Sequence, residues 1–573
     1  MKSIENDRQL ALSGHNPFET EHSFYSKEKK SGDIDVTVVV PDFYHVALPN
    51  LGHQMVEYQL NQVNGFHADR SYLNHDYSLL KEKPDSKPEA VFVSMSYEGS
   101  YIRSVRMLDL MGIPLRRRER SGQDPLVIFG GWSVSRNPLP LFDLADVICI
   151  GDSEHSIESI TSLYKQYRGN KQTFFEALSK QQGLIIPSRY QVATQNGYLT
   201  EWKAYNASPV IHPSKSTILP HSWYLSSETD YNDIGYYAGK TFFSMEIVDA
   251  CASKCAFCAS GFKEKNRDIQ DPKILADLAE WAANQGADLT KLFFPANSSA
   301  EATKAIMREL IHRGLSPRVG SAKAEKIDLE YIQLVGQSGQ EKIAFAPETG
   351  DYDLRKHLGK PGMTNEVLEN VIKASIDAGI PNLDFYLILN LPGEAPDSFK
   401  KSIDMLGKFH HLATSRGLKG RVRVSTPNFF PKAWTPFQYA ESGSIDTYLE
   451  KVATLNTELG GLIAISTMQG SVDLLSQNIM SRGGIEVGEL LIEVYSQLKT
   501  KEQQAGQYTL DTFEDWRAAL TALHLDENTY FSSKDSTQPL PWHHIHLNQK
   551  FGLGSVQKVW EVFKGKRSLF MID

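Results

Sequence analysis

The sequence predicts an α/β protein with a Rossmann-like N-terminal domain, a partial (β/α)6 barrel and a mostly helical C-terminal region. Two series of apolar, β-branched runs alternate with helical segments, and such alternation builds mainly parallel sheets. Three of the four cysteines follow an apolar run at the start of the second series. A chain of 573 residues exceeds what one hydrophobic core serves, so several domains are expected.

The expected domain boundaries follow changes in this pattern. Residues 1–32 are polar and lack a sustained period, which is typical of a tail. We expect the Rossmann-like domain over residues 33–200 and a proline-containing connector over residues 201–235. The barrel is expected over residues 236–440 and the mostly helical region over residues 441–573.

The N-terminal domain begins with the run DVTVVVP at Asp35, which predicts a strand buried on both faces. The runs AVFVSMS, PLVIFGG and ADVICIGDSE follow as further strands, with helices between them. Sheets of this kind bind ligands at the carboxyl ends of their strands. Small and polar residues at those ends are candidate ligand contacts: Ser94, Ser96, Gly130, Gly131, Gly151, Asp152, Ser153 and Glu154.

The cysteine segment begins the second domain. Cys251, Cys255 and Cys258 have the spacing C-x3-C-x2-C. Three thiolates on a short loop can hold three irons of a 4Fe-4S cluster and leave the fourth iron open. The alternative is a structural zinc site, but zinc usually takes four ligands with paired spacings, and only Cys149 is left over.

This segment resembles the radical SAM enzymes, including the aromatic Phe257 directly before the last cysteine. In that family the open iron binds S-adenosylmethionine (SAM), which is cleaved reductively to a 5′-deoxyadenosyl radical. The resemblance therefore implies a 4Fe-4S cluster, SAM and a partial barrel.

Five further strands are predicted after the cysteine loop, in KLFFP, PRVGSA, KIAFAPE, NLDFYLILNLPG and RVRVSTPNFFP. Asp271 followed by Pro272 predicts a helix start, and Gly314 predicts the end of the next helix. With the strand before the cysteines this makes six βα repeats, too few for a closed eight-stranded barrel. The partial barrel is the shape that the family resemblance implies.

Chemistry in such a barrel takes place at the carboxyl ends of the strands. Glu348 ends the fourth strand, and the resemblance implies that it takes the SAM amino group or ribose hydroxyls. Arg355 could pair with the SAM carboxylate, because a guanidinium forks onto carboxylate oxygens. The family's glycine-glycine-glutamate motif is replaced by FFPANSS. The other candidates, each of which could instead be a barrel-rim or capping residue, are Asn297, Ser298, Ser321, Lys323 and Asn390.

The upstream domain resembles the cobalamin-binding domain of B12-dependent radical SAM enzymes. The segments VALPNLGHQ, ADRSYL, FGGW and IGDSE look like that family's turns around the corrin and its nucleotide tail. The D-x-H-x-x-G motif is missing, and His45 and His53 do not replace it, so cobalamin would be bound base-off without a protein histidine. The alternative is a Rossmann-like domain that binds a partner without a cofactor. Besides the strand-end residues, the resemblance implies cobalamin contacts from Asn50, Leu51, Gly52, Tyr97 and Trp132.

The resemblance extends into the C-terminal region. NFFPKAWTPFQYA resembles the PKPxTPFQ segment of a group of B12-domain radical SAM proteins, and SRGGIEVGELL, DTFEDWRAAL and LPWHHI follow in that group's order. Trp516, Trp542 and Trp560 are expected core anchors. His543, His544 and His546 could form a metal cluster, but adjacent residues do not share one face, so a buried or interface segment is the alternative.

Composition limits the function. A formal net charge of -9 argues against binding to nucleic acid, and no apolar run suits a membrane span or a signal peptide, so a cytoplasmic protein is expected. The leading hypothesis is a cobalamin-dependent radical SAM enzyme, namely a C-methyltransferase acting on a small molecule or peptide. The alternatives are a radical rearrangement, cyclisation or oxidation with a cofactor-free N-terminal domain, and a non-catalytic iron-sulfur protein. An enzyme of this class needs an electron donor such as flavodoxin or ferredoxin.

Overall fold

The computed structural model divides the chain into two compact units. The first comprises residues 1–241, 479–530 and 537–547, and the second residues 242–478, 531–536 and 548–573. Residues 441–573 are therefore shared between the units instead of forming one region. The residues that the structure describes are 17–19, 21–25, 27–74, 76–83, 87–216, 220–226, 240–248, 250–263, 269–293, 300–467, 469–547 and 552–565.

Strands and helices alternate through most of the described chain. The strands are β1 (His22–Ser23), β2 (Ile34–Phe43), β3 (Phe66–Leu73), β4 (Leu79–Lys81), β5 (Ala90–Ser94), β6 (Leu126–Gly130), β7 (Val147–Cys149), β8 (Leu184–Ile185), β9 (Tyr190–Gln195), β10 (Tyr198–Ala204), β11 (Tyr224–Leu225), β12 (Phe242–Glu246), β13 (Leu289–Phe293), β14 (Pro317–Val319), β15 (Lys342–Glu348), β16 (Asn382–Leu387), β17 (Val422–Ser425) and β18 (Ala464–Ser466). The helices are α1 (Tyr44–Ala47), α2 (Leu51–Gln62), α3 (Tyr101–Leu110), α4 (Ser153–Tyr167), α5 (Lys171–Leu178), α6 (Pro272–Asn284), α7 (Ala300–His312), α8 (Leu329–Gln337), α9 (Tyr352–His357), α10 (Asn365–Asp377), α11 (Ser398–Ser415), α12 (Ile445–Leu459), α13 (Ser471–Arg482), α14 (Glu486–Ala505), α15 (Phe513–Ala522), α16 (Asn528–Phe531) and α17 (Leu553–Lys564).

A seven-stranded sheet forms the centre of the first unit, in the order β4-β3-β2-β5-β6-β7-β8. The five inner strands are parallel, and the two edge strands, β4 and β8, run antiparallel to their neighbours. This confirms the expected α/β fold. Because β2, β5, β6 and β7 are parallel neighbours, the residues after them meet at one edge of the sheet. Helix α14 packs against α3, which explains why part of the C-terminal region belongs to this unit.

The segment ADRSYL, expected as a turn around a corrin, is part of β3, whose residues are all buried. Arg70 in this strand pairs with Glu21, Glu57 and Glu82, and its guanidinium lies 3.8 Å from the centre of the Tyr224 ring. A buried charge is tolerated when it is paired in this way. Sequence reading fails here because the charges that balance Arg70 come from other segments.

Regular structure continues beyond residue 200, where the connector was expected to begin. Strands β9 and β10 form an antiparallel hairpin that ends at Ala204. The hairpin packs within the first unit, since Leu199 donates a backbone hydrogen bond to Pro539. Residues 217–219 and 227–235 of the remaining connector lie outside the described residues.

The second unit contains two parallel sheets, β12-β13-β14 and β15-β16-β17-β18. A parallel bridge between Ala322 and Phe345 joins them after β14. A helix follows each of the first six strands, which is the βα alternation of the expected partial barrel. The short strand β18 extends this row by one. The KLFFP strand ends at Phe293, and the residues after it lie outside the described part.

Among the described residues, no helix is long and apolar enough to cross a membrane.

Candidate functional site

The cysteine loop follows β12 and folds back on itself. Cys251 N–H donates to Ser260 O at 3.1 Å, and Cys258 N–H donates to Cys255 O at 3.0 Å. A Cβ atom on Gly261 would lie 2.2 Å from Ser253 O, so only glycine fits where the two ends of the loop meet. The three cysteines are therefore held on one compact turn of backbone.

Two other segments hold this loop by its backbone. Ala256 N–H donates to Leu358 O at 3.1 Å, and Ala256 O accepts from Phe437 N–H at 3.1 Å. Gly359, with φ +87°, lies so close that a Cβ on it would be 2.9 Å from Lys254 O. The TPFQ motif contains Phe437, so the motif contributes a direct support of the cysteine loop.

Lysine side chains surround the loop. Lys254 Nζ donates to Gly261 O at 2.7 Å, and Lys323 Nζ donates to Ser253 Oγ at 2.7 Å. Cys255 is buried, and its burial raises the pKa of its thiol to about 11, while the charges of Lys360 and Lys323 oppose that shift. Iron binding releases the proton from a thiol, and nearby cations favour the thiolate.

This donor set fits an iron-sulfur cluster with three protein ligands. Three thiols lie on one loop, Ser253 N–H already donates to Cys251 Sγ at 3.4 Å, and two lysines act on Cys255. Such hydrogen bonds to cysteine sulfur are typical of iron-sulfur sites. Within the part of the chain that the structure describes, no three His, Cys, Asp or Glu side chains form a site for a single metal ion.

Glu348 ends β15 beside the cysteine loop. Its carboxylate is buried and accepts a hydrogen bond at 2.6 Å from Nζ of Lys360, which is buried too. Lys360 also donates to Ala346 O at 2.6 Å and lies 5.8 Å from the centre of the Phe257 ring. Burial raises the pKa of Glu348, and Lys360 opposes the rise. The structure therefore brings the expected Glu348 and Phe257 together through a lysine that the sequence did not single out.

The structure contradicts the expected pairing of Arg355 with the SAM carboxylate. Arg355 is fully buried, and its guanidinium donates to the backbone oxygens of Thr349, Met363 and Gly350 and to Asn365 Oδ1. These bonds brace the turn after β15. A guanidinium already used by protein oxygens does not fork onto a ligand carboxylate.

The remaining barrel candidates have different surroundings. Asn390 follows β16, has φ +61°, and donates through Nδ2 to Asn428 Oδ1 at 2.9 Å. Ser321 is half-buried and directly precedes the bridge that Ala322 makes to β15. Lys323 is bound to the cysteine loop, as described above. Asn297 and Ser298 lie outside the described residues.

Two of the glycines proposed as corrin contacts have a structural explanation. Gly131 has φ +116°, and a Cβ on it would lie 2.3 Å from Met95 O. Gly151 has φ +102°, and a Cβ on it would lie 2.3 Å from Ser214 O. Both positions require glycine for packing within the protein, whatever ligand lies beyond the sheet edge. Gly130 ends β6 opposite Ser94 on β5.

The other predicted corrin contacts lie in turns and helix starts at the same sheet edge. Asn50 caps α2 by accepting from Gly52 N–H, and Ser153 Oγ donates to Gln59 at 2.8 Å. Asp152 accepts from Ser216 N–H at 3.0 Å, and Glu154 lies in the first turn of α4. Leu51 is buried in the core. The outward-facing residues are Gly52, Ser96, Tyr97 and Trp132.

Trp132 and Tyr97 form the apolar part of this edge. Their side chains are 39% and 40% exposed, which is high for large aromatic residues. The Arg136 guanidinium lies 4.1 Å from the centre of the Trp132 ring, so a cation covers part of that ring. An exposed aromatic surface at the carboxyl ends of parallel strands suits a large planar ligand.

Two of the five histidines considered as metal ligands, His53 and His544, are buried. His53 is fully buried, its Nε2 lies 3.0 Å from Tyr72 Oη, and burial lowers its pKa to about 3. His45 stacks on Phe43 at the end of β2. His544 is buried, and the centre of its ring lies 3.8 Å from the centre of the Trp202 ring. The exposed His546 packs against His212. His543 is half-buried, and its Nδ1 accepts a hydrogen bond from Leu540 N–H at 3.0 Å.

Sequence reasoning missed the contributions of Gly359, Lys360 and Ser253. The sequence contains one signal for two of them. In LGKPG, Gly359 and Lys360 stand directly after the end of the helix that follows Glu348. A glycine there is expected to end the helix, but its contact with the cysteine loop depends on the tertiary fold.

Comparison with known proteins gives two family matches. Residues 52–187 match the family described as radical SAM proteins, N-terminal, and residues 245–406 match the radical SAM superfamily. No curated protein matches the chain.

Several solved structures resemble the chain at low identity. The radical SAM methyltransferase TsrM from Kitasatospora setae, with cobalamin and a 4Fe-4S cluster bound, is 16% identical at a TM-score of 0.47, over 71% of this chain and 74% of that one. The cobalamin-dependent SAM radical enzyme OxsB, with aqua-cobalamin and SAM bound, is 14% identical at a TM-score of 0.44, over 90% and 77%. The hydrogenase maturase HydG from Carboxydothermus hydrogenoformans is 14% identical at a TM-score of 0.30, over 42% of this chain and 57% of that one.

Proposed function

Because this chain is a radical SAM protein, with that superfamily's domain over residues 245–406, we propose that it is a cobalamin-dependent C-methyltransferase. The observation that carries the radical SAM part is the supported loop of Cys251, Cys255 and Cys258 at the start of the partial barrel. When bound there, a 4Fe-4S cluster and SAM supply one-electron cleavage of the sulfonium. The protein supplies binding, orientation and exclusion of water.

Glu348 and Lys360 form the part of the site that would orient SAM. The buried pair lies beside Cys255, since Lys360 and Glu348 both act electrostatically on its thiol. Glu348 has φ +65°, a left-handed conformation that non-glycine residues seldom adopt. Asn390 and Trp434, with φ +61° and +64°, follow the next two strands. Such strain persists where the surrounding structure enforces it, and it is concentrated at functional sites.

The cobalamin part of the proposal rests on the N-terminal sheet edge and on the sequence resemblance. Tyr97 and Trp132 offer exposed aromatic rings at the carboxyl ends of β5 and β6. His53 is buried in hydrogen-bonding distance of Tyr72, so it does not fit as a cobalt ligand. Cobalamin would then be bound without a histidine from this part of the protein.

The rival functions differ in products. A radical rearrangement, cyclisation or oxidation enzyme would yield 5′-deoxyadenosine without binding cobalamin, and a non-catalytic iron-sulfur protein would yield no product from SAM. We further propose a small molecule or peptide as the substrate and flavodoxin or ferredoxin as the cytoplasmic electron donor.

The first experiment tests the cluster. The full-length chain is reconstituted anaerobically with iron and sulfide and incubated with SAM, a chemical reductant and hydroxocobalamin as the methyl acceptor. We expect about four irons per chain and formation of 5′-deoxyadenosine or S-adenosylhomocysteine. Cys255→Ala should abolish both products and lower the iron content. Cys149→Ala is the matched control and should retain them; products from Cys255→Ala would overturn the assignment.

The second experiment tests cobalamin. Hydroxocobalamin is titrated into the full-length protein, and its visible spectrum and the EPR spectrum of its cob(II) form are recorded. We expect a base-off spectrum without nitrogen splitting from histidine. Trp132→Ala should weaken binding at least tenfold. Tyr205→Ala, which changes an exposed aromatic residue directly after the hairpin, should not. A protein that binds no corrinoid would favour the cofactor-free alternative.

A further inference from the structure

The first cysteine, Cys251, is connected to the segment that follows β14 by two successive hydrogen bonds. Lys323 Nζ donates to Ser253 Oγ at 2.7 Å, and Ser253 N–H donates to Cys251 Sγ at 3.4 Å. Lys323 lies between β14 and α8 and is only 7% exposed. A lysine is seldom buried without a specific partner, so its position near the cysteine loop needs an explanation.

We propose that Lys323 is a positioning residue that acts through Ser253 to raise the reduction potential of the cluster bound at Cys251. This inference rests on the proposed function, because it requires the cluster. The potential of an iron-sulfur cluster depends on hydrogen bonds to its sulfur ligands and on the charge and solvent exposure around it. A donor to Cys251 stabilises the reduced, more negative cluster.

Lys323 acts on the reduction potential through its hydrogen bond to the Ser253 side chain. By fixing the Ser253 side chain, Lys323 holds the backbone N–H of that residue toward Cys251. The carboxylate of Glu325 lies 3.5 Å from Lys323 Nζ and balances part of its charge. We therefore expect the reduction potential to depend on the Lys323 ammonium and the Ser253 hydroxyl more than on the net charge near the cluster.

A purely structural brace would affect iron retention or stability without changing the potential. Lys323→Met removes the ammonium while keeping much of the side-chain length. Ser253→Ala removes the hydroxyl but leaves the backbone N–H. Because both residues belong to one path, their effects should not add, and the double variant should resemble the single ones.

The test is an EPR-monitored redox titration of the full-length, anaerobically reconstituted protein. We expect Lys323→Met and Ser253→Ala to lower the equilibrium constant for cluster reduction at least tenfold, which is 59 mV for one electron. Lys326→Met is the control, since Lys326 is exposed on the same segment. Iron per chain is measured for every variant.

The outcomes separate this inference from the proposed function. If the unmodified chain holds no cluster, the proposed function fails. If Ser253→Ala keeps its iron and the unmodified potential, or shifts the potential no more than Lys326→Met does, this inference alone is wrong. Loss of iron from Ser253→Ala also overturns it, because the role would then be cluster binding. If Lys323→Met loses iron, Ser253→Ala decides.

Discussion

At the scale of single residues, the buried pair of Glu348 and Lys360 is the most consequential polar contact near the cysteines. Burial raises the pKa of Glu348, and the ammonium of Lys360 opposes that rise. Removing one partner of a buried pair leaves a charge without compensation. We expect Lys360→Met to destabilise the second unit by about 3–5 kcal/mol in urea unfolding and to weaken SAM binding measured by calorimetry.

The pH dependence of this variant has a definite sign. Without Lys360 the pKa of Glu348 lies further above its ordinary value of 4.5 in the folded protein. The unfolded chain then releases its proton at lower pH, so stability should decrease as the pH rises from 4.5 through the raised pKa. Lys356→Met is the control, because Lys356 pairs with the exposed Asp353. Equal losses in both variants would contradict this role of Lys360.

At the scale of elements, the turn after α9 supports the cysteine loop through Gly359. Gly359→Ala should cost left-handed strain of about 1–2 kcal/mol and also create a contact of 2.9 Å with Lys254 O. We expect a lower melting temperature and loss of iron after reconstitution. Gly314→Ala is the matched control, because Gly314 also has positive φ but no atom near its Cβ position. Gly314→Ala should lower the melting temperature without loss of iron.

The elements that the sequence predicted well have local causes. Asp271 and Pro272 start α6 as expected, with the Asp271 side chain accepting from Lys273 N–H. The apolar runs predicted the parallel strands because burial on both faces demands them. Local rules also placed Glu348 at a strand end.

The residues that the sequence misplaces or misses depend on contacts that exist only in the folded chain. Arg70 lies in a buried strand because Glu21, 49 residues away, helps to neutralise it. Arg355 faces inward because backbone oxygens of its own turn satisfy its guanidinium, which a motif does not reveal. Lys360 was missed for the same reason, since only the fold places it beside Glu348.

At the scale of the whole molecule, the two units should respond differently to acid. The first unit contains the buried His53 and His544, and burial lowers the pKa of each to about 3. The unfolded chain takes up these protons below its ordinary pKa of 6.5, so stability is lost as the pH falls from 6.5 toward 3. At pH 5 the lowered pKa of each buried histidine reduces the free energy of unfolding by about 2 kcal/mol.

His544→Phe tests this cost because phenylalanine can keep the stacking on Trp202 and cannot take up a proton. The cluster-free protein is melted in a calorimeter at pH 7.5 and at pH 5.5. In His544→Phe, the melting temperature of one transition should change less between these pH values than in the unmodified protein. That transition is then assigned to the first unit. His411→Gln, at an exposed position of the second unit, should leave the pH effect unchanged. If His544→Phe melts with the unmodified pH dependence, the neutral state of His544 does not control acid stability.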